Sequence, residues 1–200
     1  MDDQEYQDRI KALAERSSYV ENVLRHALVA SLSSVVWAHN PWSALQVFNA
    51  EVDDSGFDLV FSVGSELRYV QLKQAHDSKS PTHCSIRLSF SNLAGSCVVL
   101  MSYSAADLRL SRFRFFGGAP SESMAAIDGF RATKAPGRRK KSGERKIRQH
   151  YRDIPVSQFQ GPMSIEELVK VLFPSATTSS FNPAAARRAA REKTVPPAAL

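Results

Sequence analysis

The sequence lacks most of the motifs that mark common enzyme and secreted-protein classes. Its 200 residues include only two cysteines, Cys84 and Cys97, without CxxC spacing, and no signal-peptide pattern is evident. We therefore expect a reducing, cytoplasmic setting, although spacing alone does not decide whether the two thiols pair. No GxSxG elbow, phosphate-binding P-loop or dinucleotide fingerprint occurs, so serine hydrolases, NTPases and Rossmann dehydrogenases are not indicated.

Long hydrophobic runs and zinc-type clusters are also missing. The longest mostly apolar stretch, residues 27–38, is too short and too rich in serine to cross a bilayer, so we expect no membrane partner. The spacing of His76, His83, Cys84 and Cys97 matches none of the structural zinc patterns.

The composition is that of a folded domain with flanking extensions. A hydrophobic fraction of 43% and 11 phenylalanines are enough to build a core. We predict a helical extension over residues 1–16 and a single domain over residues 17–174. Residues 175–200, rich in Ala, Pro and Arg with little apolar periodicity, are predicted to be a disordered basic tail.

Positive charge is concentrated in the last third of the chain. Residues 1–130 carry 11 Lys and Arg against 15 Asp and Glu, whereas residues 131–200 carry 15 against 5. Glycines within residues 131–152 predict a flexible basic loop rather than a helix. Such a loop is expected to bind nucleic-acid phosphates through counterion release, and the alternative is a solvated charged surface. The candidate phosphate-binding residues are Arg138, Arg139, Lys140, Lys141, Arg145, Lys146 and Arg148.

A predicted hairpin near the middle of the chain carries the candidate site. Two apolar runs flank Gly64 and Ser65, a pair typical of a two-residue hairpin loop. In a symmetric hairpin Asp58 lies opposite Gln71, and Lys73 follows on the same face of the strand. The apolar residues are expected to share the opposite face: Phe57, Leu59, Phe61, Val70 and Leu72.

This arrangement brings a carboxylate, an amide oxygen and an ammonium group together. Carboxylate and carbonyl-type oxygens suit Mg²⁺, which keeps several of its waters in protein sites. A neighbouring lysine can orient one of those waters or stabilise charge on a phosphate. The face formed by Asp58, Gln71 and Lys73 is therefore a candidate metal and catalytic site.

The spacing of these residues resembles the core motif of a nuclease superfamily. Asp58, a gap of twelve residues and then Gln71-Leu72-Lys73 look like the PD-(D/E)xK motif, in the branch with Gln for Glu that includes Mrr-like restriction enzymes. The resemblance implies a restriction endonuclease-like α/β core, with a mixed sheet of four to six strands flanked by helices. It also implies hydrolysis of DNA phosphodiester bonds with Mg²⁺ or Mn²⁺.

The resemblance assigns a role to each residue. Asp58 and the side-chain oxygen of Gln71 would bind the metal, the carbonyl of Leu72 would add a ligand, and Lys73 would position the attacking water. Having Gln rather than Glu at position 71 removes one negative charge and should weaken metal binding.

A helix before the hairpin supplies a further candidate. Ser17 or Ser18 can cap an amphipathic helix, and Glu21 lies at the edge of its apolar stripe. In the superfamily a glutamate on the first core helix often joins the metal site, and Glu21 matches by position. The alternative is an exposed ion pair between Glu21 and Arg25, four residues later.

A second resemblance covers more of the chain. Residues 17–174 are similar to small uncharacterised bacterial proteins with a Tyr/Phe-Asp-Leu-Val strand, a Gln-Leu-Lys strand and a Trp/Phe-Phe-Gly-Gly-x-Pro element, matched here by residues 115–120. That likeness implies no known activity.

The remaining apolar patterns predict further elements. Strands are indicated at residues 45–52, 84–90, 96–103, 108–116 and 155–159, and residues 37–42 are typical of a connection. Ser164 is expected to cap a helix over residues 165–173 that Pro174 ends.

Two other functional classes compete with a nuclease. One is a non-catalytic nucleic-acid-binding protein that keeps the scaffold. The other is a protein-interaction module, such as an accessory subunit of a bacterial defence complex, and a homodimer is a further possible assembly.

Overall fold

The computed structural model describes residues 2–49, 56–77, 79–135 and 145–178. Its helices are α1 (Asp3–Glu15), α2 (Ser17–His39), α3 (Leu88–Ser91), α4 (Ile165–Leu172) and α5 (Pro174–Thr178). Its strands are β1 (Gln46–Asn49), β2 (Leu59–Val63), β3 (Glu66–His76), β4 (His83–Arg87), β5 (Ser96–Tyr103), β6 (Leu110–Gly117), β7 (Ala132–Lys134), β8 (Ile147–Pro155) and β9 (Gln160–Met163).

A mixed six-stranded sheet forms the centre of the molecule. Its strand order is β1-β2-β3-β5-β6-β9, in which β3 and β5 run parallel and the other pairs are antiparallel. Since β5 contributes residues buried on both faces of the sheet, it lies between two apolar clusters. The predicted α/β class, with a mixed central sheet flanked by helices, is confirmed.

The hairpin between β2 and β3 has the predicted register. Leu59 pairs with Val70 and Val63 with Glu66, so that Gly64 and Ser65 form the loop. Gly64 has a φ of 59°, which a glycine adopts without the steric penalty of a side chain. The loop therefore fixes which residues of β3 share a face.

One prediction about the hairpin faces was wrong. Phe57 packs edge-on against Tyr69, with ring centroids 5.1 Å apart, and not beside Leu59 and Phe61. The chain turns at Gly56, which has a φ of 83°, so Phe57 precedes the β2 ladder and reaches the other face of the sheet.

Helices α2 and α4 cover one face of this sheet. The buried residues of α2 recur every fourth position and pack into the cluster that contains Leu59 and Phe61. Burying each large aliphatic side chain stabilises the fold by about 1.5–3 kcal/mol. These residues are Val20, Leu24, Leu28, Leu32 and Val36.

The start of α4 agrees with its prediction, whereas the end of α2 does not. Ser164 caps α4 in a capping box with Glu167, as predicted. Helix α2 continues to His39, so Trp37 belongs to the helix rather than to a connection. The chain forms α5 directly after α4, which extends the helical part to residue 178; the rest of the predicted tail lies outside the described residues.

A second sheet of order β4-β8-β7 corrects the prediction of a flexible loop at residues 131–152. Strands β7 and β8 pair antiparallel, and β8 also pairs with β4. The pairing buries Ile154 with Ile86, while the charged side chains of β8 are only partly buried, so their charge does not prevent a strand. Residues 136–144 of the segment lie outside the described residues.

Two further strand predictions need correction. After β4, residues 88–91 form the short helix α3, which buries Phe90 and is closed by a hydrogen bond from Ser91 Oγ to the Leu88 carbonyl. Residues 156–158 form a 3₁₀ turn rather than a strand, and the turn inserts Phe159 against Phe116. In both cases a short turn places one phenylalanine, Phe90 or Phe159, in the core.

No helix in the described part of the chain is long and apolar enough to span a membrane.

Candidate functional site

The candidate site lies where β3 extends beyond its hairpin partner. Strand β3 has 11 residues and β2 only 5, so the second half of β3 borders an open cleft of about 510 Å³. Side chains from α2, from β3 and from the second sheet line this cleft. They include all five residues predicted for the catalytic and metal site: Glu21, Asp58, Gln71, Leu72 and Lys73.

The Asp58 carboxylate is held at the point where the β2–β3 ladder ends. Its backbone N–H donates to the Val70 carbonyl at 2.9 Å, and its Oδ2 accepts a hydrogen bond from the Leu72 N–H at 2.6 Å. The side chain thus takes the place of a strand carbonyl beyond the end of β2. This contact fixes the orientation of the carboxylate at the mouth of the cleft.

Gln71 places a buried oxygen acceptor in the cleft. Its side chain is only 9% exposed, and its Oε1 is buried without a hydrogen-bond partner among the described residues. Leaving a buried acceptor unsatisfied costs about 1–3 kcal/mol. A bound cation or donor in the cleft would remove that cost.

Lys73 lies half-buried two residues further along β3. None of the ion pairs within the described residues involves it. Its charge acts on the thiol of Cys84: burial raises the pKa of Cys84 to about 11, and the ammonium of Lys73 opposes that rise. Lys73 therefore brings to the cleft a positive charge that forms no ion pair within the described part of the chain.

Glu21 lies exposed at the α2 side of the cleft. Its Oε1 accepts a long hydrogen bond of 3.4 Å from Gln74 Nε2, whereas Arg25 donates to Asn22 Oδ1 at 2.8 Å. The alternative ion pair between Glu21 and Arg25 is therefore not formed. Gln74 also has a buried Oε1 without a partner among the described residues.

The predicted phosphate-binding residues divide into three groups. Arg148, on β8, lines the cleft. Arg145 and Lys146 are exposed and do not line it. Arg138, Arg139, Lys140 and Lys141 lie outside the described residues.

Sequence reasoning missed several residues of the cleft wall. Ser85 and Tyr151 reach it from β4 and β8, which pair across more than 60 residues of chain. No local sequence pattern predicts the pairing of β4 with β8. Arg25 was detectable, since it lies four residues after Glu21 on the same helix face, whereas the spacing of Asn22 gave no such signal.

The donor set fits a hard divalent cation better than a soft metal. Within the described residues, no three His, Cys, Asp or Glu side chains lie close enough to share a metal ion. The cleft instead offers the carboxylates of Asp58 and Glu21 and the unsatisfied amide oxygen of Gln71. Mg²⁺ and Mn²⁺ accept such oxygen ligands together with waters.

Comparison with known proteins assigns no family to the chain: no protein-family model matches the sequence, and no curated protein is significantly similar to it. The resemblance to the PD-(D/E)xK superfamily accordingly stays a prediction that depends on Asp58, Gln71 and Lys73.

Proposed function

We propose that the protein is a metal-dependent nuclease that hydrolyses phosphodiester bonds in DNA. The observation that carries the proposal is the buried, unsatisfied Oε1 of Gln71 in a cleft that Asp58 and Lys73 also line. An oxygen acceptor without a donor, beside a carboxylate, favours a cation as its partner.

Asp58, Gln71 and Glu21 would hold the cation, with Mg²⁺ or Mn²⁺ as the metal. When bound, the metal would supply Lewis-acid stabilisation of the phosphate and a more acidic water. The contribution of Asp58 is orientation, because its contact with the Leu72 N–H keeps one carboxylate geometry. Gln71 contributes a neutral ligand, and the short β2 strand leaves room for both beside β3.

Lys73 would act on the substrate and the attacking water. Its ammonium has no ion-pair partner among the described residues, so it is available to a phosphate oxygen. From that position it can orient a water by hydrogen bonding and stabilise the charge that develops on the pentavalent phosphate.

The charge balance of the cleft suits a polyanionic substrate. Among the described residues, Arg25, Lys73 and Arg148 line the cleft together with two carboxylates, Glu21 and Asp58. A divalent cation would add to this excess of positive charge. Nucleic-acid phosphates are attracted by such a surface without regard to sequence.

A catalytically inactive protein that binds nucleic acid is the second candidate. The observation in its favour is that Gln71 supplies a neutral oxygen where the usual motif has an acid, so the described lining of the cleft holds two carboxylates. A role as an accessory subunit, or a homodimer, in bacterial defence belongs to this candidate. Cys84 and Cys97 are buried free thiols, which supports a reducing compartment such as the cytoplasm for either candidate.

The decisive experiment is cleavage of single- and double-stranded DNA by the full chain in Mg²⁺, Mn²⁺ or EDTA. Wild type is compared with Lys73→Ala and with Lys11→Ala, whose lysine lies exposed on α1 with 75% of its side chain accessible. We expect cutting that requires metal, that Lys73→Ala abolishes and that Lys11→Ala leaves unchanged.

The opposite results separate the two candidates. Cutting by Lys73→Ala at the wild-type rate would refute the site. No cutting under any condition, with salt-sensitive binding retained, would favour the inactive scaffold instead.

A further inference from the structure

A chain of hydroxyl groups in the second sheet fixes Ser85 as a hydrogen-bond acceptor in the cleft. Thr133 Oγ1 donates to Asp153 Oδ1 at 2.6 Å, and Ser85 Oγ lies 2.9 Å from Thr133 Oγ1. An ionised carboxylate only accepts, so the single hydroxyl hydrogen of Thr133 points to Asp153. Ser85 must therefore donate to Thr133, and its own lone pairs are left for a donor in the cleft.

A stacked pair of side chains lies on the same sheet. The guanidinium carbon of Arg148 lies 3.5 Å from the centre of the Tyr151 ring, and both residues line the cleft. No ion pair within the described residues involves Arg148. Its planar group thus keeps one face and its N–H donors available.

The strand register places these features next to each other. Ser85 pairs with Asp153 and Arg87 with Tyr151, so Ser85 and Tyr151 are diagonal neighbours on one face of the sheet. Diagonal neighbours are about 7–8 Å apart. A planar ring lying on the Arg148–Tyr151 pair can therefore reach Ser85 with its edge.

We propose that this wall is a subsite for an unpaired nucleobase next to the phosphate that the enzyme cleaves. The base stacks on the guanidinium of Arg148, which the Tyr151 ring supports from behind, and an N–H of its Watson–Crick edge donates to Ser85 Oγ. This inference rests on the proposed function, because the base belongs to the substrate whose phosphate binds beside Lys73.

The chemistry of the wall selects single strands over duplexes. Bases stack on aromatic rings and guanidinium planes, and such contacts tolerate any sequence. In a duplex the Watson–Crick N–H groups are already engaged with the partner base. A cleft of about 510 Å³ is within the usual range for a pocket that holds a small ligand or a single nucleotide.

The test measures equilibrium binding in EDTA, so that cleavage plays no part. Fluorescence anisotropy of the full chain is recorded with a short oligothymidylate, with the same DNA as a duplex, and with an oligomer of N3-methylthymine, which stacks but lacks the N–H. An oligouridylate arm distinguishes RNA from DNA as the source of the base.

Three variants test stacking, at constant charge in the case of Arg148→Lys, and hydrogen bonding. We expect Tyr151→Leu and Arg148→Lys each to weaken single-strand binding about tenfold, with less than a twofold effect on the duplex. Wild type should bind oligothymidylate several-fold more tightly than the N3-methyl oligomer, and Ser85→Ala should remove that preference. Because Arg148→Lys keeps the charge, any loss of affinity in this variant measures the contribution of the planar guanidinium stack.

The chain offers a matched control outside the cleft. Arg16 lies over the Tyr19 ring at 4.5 Å, and neither residue lines the cleft. Tyr19→Leu and Arg16→Lys should bind every oligomer as wild type does. Circular dichroism of each variant checks that it folds.

The results distinguish this inference from the proposed function. Equal affinity of wild type, Tyr151→Leu and Arg148→Lys for single strands would overturn the subsite even if metal-dependent cleavage is intact. If wild type binds no oligomer in EDTA, the subsite is overturned, and the nuclease is then judged separately by cleavage in Mg²⁺ or Mn²⁺.

Discussion

The buried polar side chains at the two ends of strand β3 differ in whether their hydrogen-bonding groups have partners. Near its beginning Arg68 is 0% exposed, yet every nitrogen of its guanidinium donates to a carbonyl at 2.9 Å: Leu172, Gly118 and Val171. Burial lowers the pKa of Arg68. Its guanidinium carbon lies 5.7 Å from the centre of the Phe115 ring. The last carbonyls of α4 thus receive a positive charge, which the helix dipole favours.

Three residues later the pattern is reversed. Gln71 is nearly as buried as Arg68, but its Oε1 has no partner among the described residues, and Lys73 beyond it has no ion pair there. A fully satisfied polar group stabilises a fold, whereas an unsatisfied one destabilises it. The difference supports a structural role for the Arg68 end of β3, and it is consistent with the proposal that the cleft end binds a ligand.

The largest expected effect is on catalysis at the cleft end. Asp58→Asn keeps an oxygen acceptor for the Leu72 N–H but removes the charge, so DNA cleavage should fall by about a thousandfold while thermal stability changes little. Cleavage rates in saturating Mg²⁺, measured beside melting temperatures, check this. Wild-type cleavage by Asp58→Asn would place the metal elsewhere.

The next effect belongs to the structural end. Arg68→Met fills much of the same space but leaves one buried and two partly buried carbonyls without the Arg68 donor, so the free energy of unfolding should fall by roughly 3 kcal/mol. Urea denaturation measures it. As a control, Arg112→Met changes an exposed arginine of β6 and should cost little; a similar loss in both variants would contradict the structural role of Arg68.

The two thiols report on the ends separately. Burial raises the pKa of Cys97, beside Arg68, to about 12 and that of Cys84, beside Lys73, to about 11. Because the folded pKa values are raised, the stability they contribute is complete below the unfolded value near pH 9 and is lost as the pH rises toward 11 and 12. We expect a loss of about 1 kcal/mol per thiol at pH 10.

Urea denaturation between pH 8 and 10.5 checks the dependence on pH. Cys97→Ala and Cys84→Ala should each show a shallower decline than wild type. An unchanged slope in both variants would mean that these thiols ionise without unfolding the protein.

The smallest effect has the opposite sign. Gln71→Leu removes the unsatisfied acceptor, so the apoprotein should gain about 1 kcal/mol of stability in EDTA while cleavage is lost. Equilibrium unfolding in EDTA measures the gain in stability, and the cleavage assay measures the loss of activity. Loss of stability instead would mean that Gln71 is structural, as Arg68 is.

The sequence was sufficient for features with short-range causes. The Gly64-Ser65 loop sets the hairpin register. Apolar residues every four positions from Val20 to Val36 set the buried face of α2, and the capping box of Ser164 with Glu167 sets the start of α4. Since Asp58, Gln71 and Lys73 depend on that register, their grouping in the cleft followed from the sequence.

The rest depends on contacts between distant segments. Arg68 carries a charge that favours exposure, and its acceptors Val171 and Leu172 lie more than 100 residues away. Strand β8 is rich in charge and becomes a strand only because β4 and β7 pair with it. Ser85 and Tyr151 could not be placed in the cleft without that pairing.

The short length of β2 also affects how the protein meets other chains. From Leu72 onward, β3 has no strand neighbour on the β2 side among the described residues, and an open strand edge of this kind invites pairing with a strand of another molecule. The Asp58 carboxylate occupies the first N–H of that edge and brings a charge that a neighbouring strand would have to desolvate. An added strand would therefore have to displace Asp58 from the Leu72 N–H before it could pair with β3.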